Sequence, residues 1–386
     1  MVNQPCSKLA GAGVLSAVVV LACGMTGGTA AAGAGRAAHP PAWRVRLMGI
    51  PPLSARPSAF IANLAAASPA DAWGAGLTPP FSPLIDRWNG TRWRRVTLPR
   101  PAARLLGPSS FIGTVSASSR RNVWMFGQTR HQAESGSSHG VWLHWDGTRW
   151  TWGKVNLPGS SFLSDVLAVG PHAVWAFGNR AGRRVYAWYH DRGGWTRVRL
   201  PGHLQVGGAA AVTASDLWAL ETTGENPGHA GALLHLAHRR WRLISLPRRM
   251  RRGGAVSLVA CGPDCVVVGG FVRNDSGGTS PAVGRWNGRR WTVTTLPAEP
   301  GHGRDTVWSL ATTGPGGLLA ASSGTNQSPA PARLWQYWHG RWTQVRLTAR
   351  RLGTLTLMAP IPGSTAVWAE AGHEDQFKLA LLSRQP

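Results

Sequence analysis

Arginine is the residue type that most clearly indicates a binding function in this sequence. The chain of 386 residues carries 41 basic against 16 acidic side chains, and only three of the basic residues are lysines. Guanidinium groups bind carboxylates and phosphates through paired hydrogen bonds, so a cluster of them indicates an anion-binding surface. The alternative is a genome rich in arginine codons, which would scatter arginine over a surface without a binding role. The candidate anion- or partner-binding residues are Arg183, Arg184, Arg248, Arg249, Arg251, Arg252, Arg350 and Arg351.

Cysteine offers a second kind of chemistry. Cys6 and Cys23 lie near the N-terminus, whereas Cys261 and Cys265 flank the tripeptide Gly-Pro-Asp. Turn residues between two close cysteines predict a small disulfide loop in an oxidising compartment. A metal site would need two further ligands, and no second pair of cysteines or histidines is evident. We therefore expect no metal and no cofactor.

The N-terminal segment resembles an export leader. Lys8 precedes an apolar run over 9–22, whose length suits a secretory signal and is short for a membrane span. Residues 20–23 resemble a lipobox, which predicts lipidation of Cys23 and a lipid anchor in the membrane. Cleavage near 30–32 would give a freely secreted protein instead, and an uncleaved anchor is the third alternative. The sequence thus divides into a signal peptide or lipoprotein leader (1–32), a flexible linker (33–42) and an extracytoplasmic domain (43–386).

A tryptophan that opens a short strand recurs along the rest of the chain, at spacings of 43 to 59 residues. The strand usually ends in Leu-Pro, and such a spacing is typical of β-propeller blades, each of which is a four-stranded sheet. We call this residue the marker tryptophan. In the second blade Trp152 fits the pattern, and Trp150 competes for the same position. The internal markers are Trp93, Trp152, Trp195, Trp241, Trp291 and Trp342.

The marker strands are apolar on both faces. Side chains alternate along a strand, so the marker tryptophan points to one face, and the aliphatic residues three and five positions later point to the other. Such a sheet must be packed between two others, as it is in a closed ring of blades. We therefore expect most tryptophans to pack between blades rather than to stack on a ligand.

Counting the strands predicts the number of blades. Second strands occur seven times, whereas only six internal marker strands follow them. The missing fourth strand lies at the other end of the chain, at 43–47, where it would complete the last blade and close the ring without an open seam. The sequence therefore predicts an all-β fold over 43–386. This fold is a seven-bladed β-propeller of four-stranded antiparallel blades, closed by an N-terminal strand in the last blade.

Asn-Gly or Asp-Gly at 89–90, 146–147 and 287–288 predicts tight hairpins in which both turn residues have positive φ.

One repeat resembles a known family. A double glycine follows a valine-rich strand, an aromatic residue precedes a turn, and a tryptophan leads to Leu-Pro; the residues are Gly269, Gly270, Trp286, Trp291 and Leu296. This order resembles a kelch repeat. The resemblance implies the propeller superfamily that includes galactose oxidase, and it extends over 43–386 as architecture.

Enzymatic activity would require side chains that the sequence does not place together. A copper centre of the galactose-oxidase kind needs two tyrosines, two histidines and a cysteine. The chain has three tyrosines, and Tyr186 and Tyr189 should face opposite sides of one strand. Asp146 to Trp150 resembles a sialidase Asp-box, but we interpret it first as a hairpin turn. A carbohydrate-active enzyme, sialidase-like or galactose-oxidase-like, is therefore the alternative function.

The direction of the strands assigns the loops to two faces. Loops between second and third strands open on the same face as the links between blades; we call it the link face, and its links are rich in arginine. The opposite face holds the hairpin turns. We call it the turn face, and it also carries arginine, so the charge asymmetry is a matter of degree. We expect a monomeric, non-enzymatic, extracytoplasmic binding or scaffold protein. Its link face would bind a protein, or an anionic polymer or lipid of the cell envelope, whereas the export leader argues against nucleic acid.

Overall fold

The computed structural model describes the residues from 43 to 384 apart from thirteen internal gaps. The described ranges are 43–48, 60–78, 82–107, 110–129, 140–155, 161–180, 183–202, 205–222, 230–275, 277–298, 305–324, 332–345, 354–373 and 376–384. These residues form seven four-stranded antiparallel sheets, each of which is one blade. The predicted all-β, seven-bladed propeller is therefore confirmed. The predicted leader and linker over 1–42, with Cys23, lie outside the described residues.

Blades 1 to 6 each consist of four strands that follow one another in the chain, from the inner strand to the outer strand. Blade 1 contains β2 (Phe60–Ser68), β3 (Asp71–Thr78), β4 (Ser82–Trp88) and β5 (Trp93–Arg95). Blade 2 contains β6 (Ser110–Ser119), β7 (Asn122–Thr129), β8 (Gly140–Trp145) and β9 (Trp150–Val155). Blade 3 contains β10 (Ser161–Gly170), β11 (Ala173–Arg180), β12 (Arg183–Asp191) and β13 (Gly194–Arg199).

The second half of the ring repeats this order. Blade 4 contains β14 (Gln205–Thr213), β15 (Asp216–Thr222), β16 (Ala230–Ala237) and β17 (Arg240–Ser245). Blade 5 contains β18 (Gly254–Gly262), β19 (Cys265–Arg273), β20 (Thr279–Asn287) and β21 (Trp291–Thr295). Blade 6 contains β22 (Asp305–Thr312), β23 (Leu318–Gly324), β24 (Arg333–Trp338) and β25 (Arg341–Val345). Two short helices lie in links between blades, α1 (Arg100–Leu106) after blade 1 and α2 (Arg248–Arg252) after blade 4.

Blade 7 closes the ring with strands from both ends of the chain. It contains β26 (Thr354–Pro360), β27 (Val367–His373), β28 (Gln376–Arg384) and β1 (Trp43–Leu47). β1 pairs antiparallel with β28, from Trp43 opposite Arg384 to Leu47 opposite Ala380. The prediction that 43–47 completes the last blade is confirmed, and this pairing leaves blade 7 with a full set of four strands.

Trp43 nevertheless does not occupy the marker position of blade 7. Val45 occupies it, because Val45 lies opposite Leu382, the residue equivalent to those that face the markers of other blades. Trp43 lies two residues earlier and is 1% exposed. Its Nε1 donates a hydrogen bond of 2.8 Å to Oε1 of Gln336 in blade 6. The closing strand is thus attached to the preceding blade by a buried polar contact.

Four of the six marker tryptophans pack edge-to-face against a tryptophan on the second strand of the preceding blade. In four interfaces the ring centroids lie 5.5–5.9 Å apart and the ring planes meet at 80–86°. Such a geometry contributes about 0.5–1.5 kcal/mol per pair beyond the burial of apolar area. The expectation that most tryptophans serve blade packing agrees with these pairs, which are Trp368–Trp93, Trp73–Trp150, Trp124–Trp195 and Trp175–Trp241.

The marker of blade 2 is Trp150, so the sequence-based choice of Trp152 is wrong. Trp150 lies opposite Trp145 on the neighbouring strand, as Trp93 lies opposite Trp88 in blade 1. Trp152 follows two residues later. The local pattern of the two tryptophans is similar, and only the partner across the sheet distinguishes them.

A polar node supports the second-strand tryptophan of blade 1 from within its own blade. Arg87 lies opposite Trp73, and its guanidinium carbon is 4.6 Å from the centre of the Trp73 ring. The same group donates hydrogen bonds of 3.0 and 2.9 Å to the two carboxylate oxygens of Asp71. We call this arrangement the Trp node. It comprises a polar residue two positions before the tryptophan and a basic residue stacked on the ring.

Blades 2 and 4 contain the same node with histidine as the stacking residue. In blade 4 the rings of His235 and Trp218 are 3.5 Å apart and nearly parallel, and His235 Nε2 lies 3.0 Å from Oδ1 of Asp216. In blade 2 His144 stacks on Trp124 at 4.3 Å. Nε2 of His144 lies 3.0 Å from Oδ1 of Asn122, the polar residue of this node. Burial lowers the pKa of His144 to about 4, so the ring is neutral at pH 7.

Side chains of the inner strands also connect neighbouring blades. Each of the seven inner strands has a β-bulge near its start. Asp165 Oδ2 in blade 3 accepts a hydrogen bond of 2.7 Å from the backbone N–H of Ala209 in blade 4. Ser309 Oγ accepts one of 3.0 Å from Met358 N–H. Buried backbone groups next to the bulges thereby gain partners in the adjacent blade.

The hairpin turns differ from the expected geometry. In the Asn-Gly and Asp-Gly turns of blades 1, 2 and 5 only the glycine has a positive φ, between 85° and 101°, so the expectation of two positive φ values is wrong there. The side chain closes these turns instead: Asp146 Oδ1 accepts hydrogen bonds of 2.8 Å from the backbone N–H groups of Thr148 and Arg149. These bonds hold the pKa of Asp146 well below its usual range. Two consecutive positive φ values occur in blade 4, at His238 and Arg239.

Cys261 and Cys265 form the predicted disulfide. Their Cα atoms are 5.1 Å apart, and the bridge joins the first two strands of blade 5 at the turn face. Among the described residues, no helix is long and apolar enough to cross a lipid bilayer.

The contact between Trp73 and Trp150 should be measurable as a coupling energy. We expect a double-mutant cycle of Trp73→Leu and Trp150→Leu to give a coupling of about 1 kcal/mol in the free energy of unfolding, because the rings meet edge-to-face. Denaturant unfolding measures it. The matched cycle of Trp73→Leu with Trp152→Leu should give a clearly smaller coupling. Equal coupling in the two cycles would contradict the assignment of Trp150 as the marker.

His144 should make the stability of the protein depend on pH. Its pKa in the folded protein is about 4, below the ordinary value of about 6.5, so only the unfolded chain takes up this proton between those pH values. Stability should therefore fall as pH decreases from 6.5 to 4 and receive no further loss from this group below pH 4. In His144→Gln the loss over that range should be smaller by roughly 2 kcal/mol. Thermal and denaturant unfolding at several pH values measure it, with the exposed turn residue His238→Gln as the control that should behave like wild type.

Candidate functional site

The candidate site is built on α2, the link between blades 4 and 5. The marker strand of blade 4 is followed by Leu246-Pro247, and Pro247 is the N-cap of the helix. Its carbonyl oxygen accepts hydrogen bonds of 2.9 and 3.0 Å from the backbone N–H groups of Met250 and Arg251. Four of the five helical residues are arginines, and all four are exposed. The fifth is Met250, which is 0% exposed. One buried side chain thus holds four guanidinium groups at the surface.

Glycines determine how closely α2 lies on the blades. Met250 packs in the apolar cluster shared by blades 4 and 5, and a Cβ on Gly284 would come within 2.6 Å of its sulfur. A Cβ on Gly253, directly after the helix, would come within 2.1 Å of the carbonyl oxygen of Phe271. The helix can therefore lie against β16, β18 and β19 only because these two positions have no side chain.

The positive charge of α2 has no counter-charge among the described residues. None of its four guanidinium groups lies within 4.0 Å of a described carboxylate. Arg249 Nη2 donates a weak hydrogen bond of 3.3 Å to Thr295 Oγ1. Arg273 Nε donates one of 3.0 Å to the backbone oxygen of Arg252, which brings a fifth guanidinium to the helix. We call Arg248, Arg249, Arg251, Arg252 and Arg273 the α2 cluster.

Arg273 is a member that the sequence analysis missed. It lies at the end of β19, in the second strand of blade 5, far from α2 in the chain. Only the antiparallel pairing of β18 with β19, which places Phe271 opposite Gly254, brings it next to the helix. No local signal in the sequence indicates this proximity.

The link after blade 1 has a related construction. α1 also begins after a Leu-Pro sequence, with Pro99 at its N-cap. Ala102 and Leu106 are buried, whereas Arg100 and Arg104 are exposed. Because the strands alternate in direction, α1 and α2 lie on the same link face of the ring.

Several arginines of the turn face and the outer strands differ from those of α2, because they have acidic partners. Asp71 receives two arginines, one from its own blade and one from blade 2. Asp86 is completely buried; burial raises the pKa of its carboxyl group, and the neighbouring arginine opposes this shift. The observed pairs are Arg87–Asp71 at 2.9 Å, Arg120–Asp71 at 3.6 Å, Arg95–Asp86 at 3.0 Å and Arg149–Asp146 at 3.2 Å.

The other predicted arginines lie wholly or partly outside the described part of the structure. Arg183 and Arg184 begin β12 rather than lying in a loop, because the strand extends to the link-face end of blade 3. Their side chains lie outside the described part of the structure, and so do Arg350 and Arg351 entirely.

The side chains that a copper centre of the galactose-oxidase kind would need are not gathered in the described ranges. These ranges contain no group of three or more His, Cys, Asp and Glu side chains that could hold a metal ion. Tyr186 packs in the cluster between blades 2 and 3, whereas Tyr189 packs in the cluster between blades 3 and 4. The two tyrosines therefore face opposite sides of their strand, as their spacing predicted.

Comparison with known proteins shows the fold and no closer relationship. No protein-family model matches the sequence, and no curated protein matches it either. Among solved structures, the WD40 repeats of RRP9 are 13% identical, with 89% of this chain and 99% of that chain covered and a TM-score of 0.61. YCF48 bound to a D1 peptide is 14% identical, with 90% and 98% covered and a TM-score of 0.57. YCF48 from Cyanidioschyzon merolae is 13% identical, with 89% and 99% covered and a TM-score of 0.55. The chain is a seven-bladed β-propeller by fold.

The close approach at Gly253 gives a stability prediction. We expect Gly253→Ala to lower the free energy of unfolding by roughly 2 kcal/mol, because the new methyl group would overlap the carbonyl of Phe271. Denaturant unfolding measures the loss. Gly170→Ala in blade 3 is the matched control: its φ is not positive, and the nearest atom to a Cβ there would be the Ala173 Cβ, at an ordinary contact distance of 3.8 Å. Its loss should be much smaller, because alanine adopts such a backbone without strain. The opposite order would contradict the tight seating of α2.

Proposed function

We propose that the protein is a non-enzymatic, extracytoplasmic binding or scaffold propeller whose link face binds an anionic surface. The α2 cluster is the observation that carries this proposal. Four exposed arginines on one helical turn, with no described carboxylate nearby, present guanidinium groups that can each pair with a phosphate or carboxylate. A partner with many closely spaced anionic groups suits them best. Such a partner is an acidic polymer or lipid of the cell envelope, or an acidic surface of a protein.

The proposed compartment follows from the cysteines and from the N-terminal sequence. A disulfide such as Cys261–Cys265 persists in oxidising environments and is rare in the cytosol. The sequence of 1–32 resembles an export leader, and lipidation of Cys23 would place the propeller at a membrane surface. A lipid anchor would also bring the link face close to anionic headgroups. A single lipid chain binds a membrane only weakly, so stable binding needs a second attraction such as this one.

The fold is compatible with this kind of function. Propellers present one broad face of loops, and one of the similar structures is a propeller with a bound peptide. Within the propellers we propose a kelch-like subtype, on the basis of the double glycine and marker pattern of blade 5. We also propose that the protein acts as a monomer, because this one chain supplies all four strands of every blade.

Removing the charge of α2 should weaken binding to anionic membranes. The variant changes four arginines to Ser: Arg248, Arg249, Arg251 and Arg252. We expect its affinity for vesicles with anionic lipids to be lower by about two to three orders of magnitude, because each basic residue near an anionic membrane contributes about 1 kcal/mol to binding. Wild-type binding should weaken as salt is added, and the variant should depend less on salt. Vesicle co-sedimentation and titration with an acidic polysaccharide across a salt series distinguish a lipid from a polymer partner.

A variant of the turn face provides the matched control. Arg239, Arg240, Arg289 and Arg290 are also exposed, so changing these four to Ser removes the same charge from the opposite face. It should leave most of the binding intact. Equal losses in both variants would show that net charge alone governs binding, and salt-independent binding by wild type would show that the contact is not electrostatic. Either result would refute the assignment of the α2 cluster.

A further inference from the structure

The interface between blades 5 and 6 lacks one of its two tryptophans. Val267 lies opposite Arg285, as Trp73 lies opposite Arg87 in blade 1, so Val267 occupies the position of the second-strand tryptophan. The marker of blade 6, Trp342, is retained. A cleft of about 90 Å³ opens between the two blades where the missing ring would lie.

The same blade has also lost the acidic residue of the Trp node. Cys265 occupies the position equivalent to Asp71 and is bound in the disulfide. Arg285 has no described carboxylate within 4.0 Å. Its Nη1 donates a hydrogen bond of 3.0 Å across the interface to the hydroxyl of Tyr337, and its Nη2 lies 3.9 Å from the sulfur of Cys265. An exposed guanidinium without a counter-charge thus lines the cleft.

The remaining walls combine hydroxyl groups with an aromatic ring. Thr292 and Thr294 line the cleft, because residues two apart on β21 point to the same side. Trp342, whose counterparts in four other interfaces are covered by a tryptophan, lines it from blade 6. The cleft therefore offers hydrogen-bond donors at one side and a flat apolar surface at the other.

Loss of a tryptophan does not by itself produce a cleft in this ring. At the interface of blades 6 and 7, Leu319 replaces the second-strand tryptophan and Val45 replaces the marker. Both belong to one apolar cluster, so the two sides have changed together and remain packed. Between blades 5 and 6 only one side has changed, and the partner side still carries its large ring.

We propose that the cleft between blades 5 and 6 binds a carboxylate attached to a small ring. The carboxylate would pair with the fork of Arg285 and receive hydrogen bonds from the threonine hydroxyls, while the ring would pack on Trp342. An engineered cavity of about 150 Å³ encloses a whole benzene molecule, so this smaller, partly open cleft holds one edge of such a ring. Aromatic acids and acidic sugars share this chemistry.

Titration calorimetry with three probes tests the proposal. We expect benzoate or glucuronate to bind, with the tighter of the two identifying an aromatic acid or an acidic sugar as the class. Benzamide, the neutral analogue of benzoate, should bind at least roughly tenfold more weakly, and so should acetate, which has no ring. Arg285→Gln should weaken binding of the preferred probe by roughly tenfold or more. Arg289→Gln, an exposed arginine of the same blade outside the cleft, should leave it unchanged.

Filling the cleft provides an independent test. Val267→Trp restores the residue found at this position in other blades and should abolish binding while keeping or raising the melting temperature. Should that variant fail to fold, Trp342→Leu removes the aromatic wall and should weaken ring-bearing probes but not acetate. Equal binding of benzoate and benzamide, or an unchanged affinity in Arg285→Gln, would overturn the proposal. The variant that lacks the four arginines of α2 should bind the probe like wild type, so this inference and the proposed function can fail separately.

Discussion

The edge-to-face contact between tryptophans of neighbouring blades is the interaction on which the rest of the ring depends. It joins a second strand of one blade to the fourth strand of the next, so it fixes both the separation and the rotation of the two sheets. The ring of Trp73 is held from two sides, by the guanidinium of Arg87 within its blade and by the edge of Trp150 from the next. Because the node and the contact share one indole, the register of each blade and the packing between blades are set together.

The departures from this rule show why paired changes are tolerated. Protein interiors are close-packed, so a missing ring leaves a void unless its partner also becomes smaller. The interface of blades 6 and 7 has aliphatic residues on both sides, and the buried Trp43 approaches it from a different register through its hydrogen bond to Gln336. The interface of blades 5 and 6 has a change on one side only, and the cleft beside Trp342 is the physical consequence.

The architecture could be predicted from the sequence because its signal is repeated. Spacing of the marker tryptophans, alternation along the strands and the extra strand at 43–47 each indicate the same closed ring, and one weak repeat does not alter the count. Details that depend on a partner across the sheet could not be predicted. Trp150 and Trp152 differ only in which residue lies opposite, and the turn at Asp146 is closed by a side chain rather than by two residues of positive φ.

The candidate sites illustrate the same limit. The run of arginines at 248–252 is visible in the sequence, but a helix of five residues has no periodicity that would predict it. Arg273 joins the α2 cluster only through strand pairing. Arg285 lines the cleft because blade 5 has Cys265 and Val267 at the positions of the carboxylate and the tryptophan of blade 1. This correspondence is visible only when the two blades are aligned by strand register.

The described ion pairs, rather than the number of arginines, distinguish several arginines of blades 1 and 2 from those of α2. Codon preference can account for many arginines, but it does not determine where carboxylates lie. Four of the described aspartates have structural positions: Asp71 and Asp216 complete Trp nodes, Asp146 closes a turn and Asp165 joins inner strands. None of these four carboxylates lies within 4.0 Å of a guanidinium of α2, and the four arginines of α2 are exposed to solvent. Exposed like charges on one turn repel one another and do not stabilise a helix. The burial of Met250 and the two glycines beneath it offset that repulsion, and they hold the guanidinium groups where an anionic partner would neutralise them.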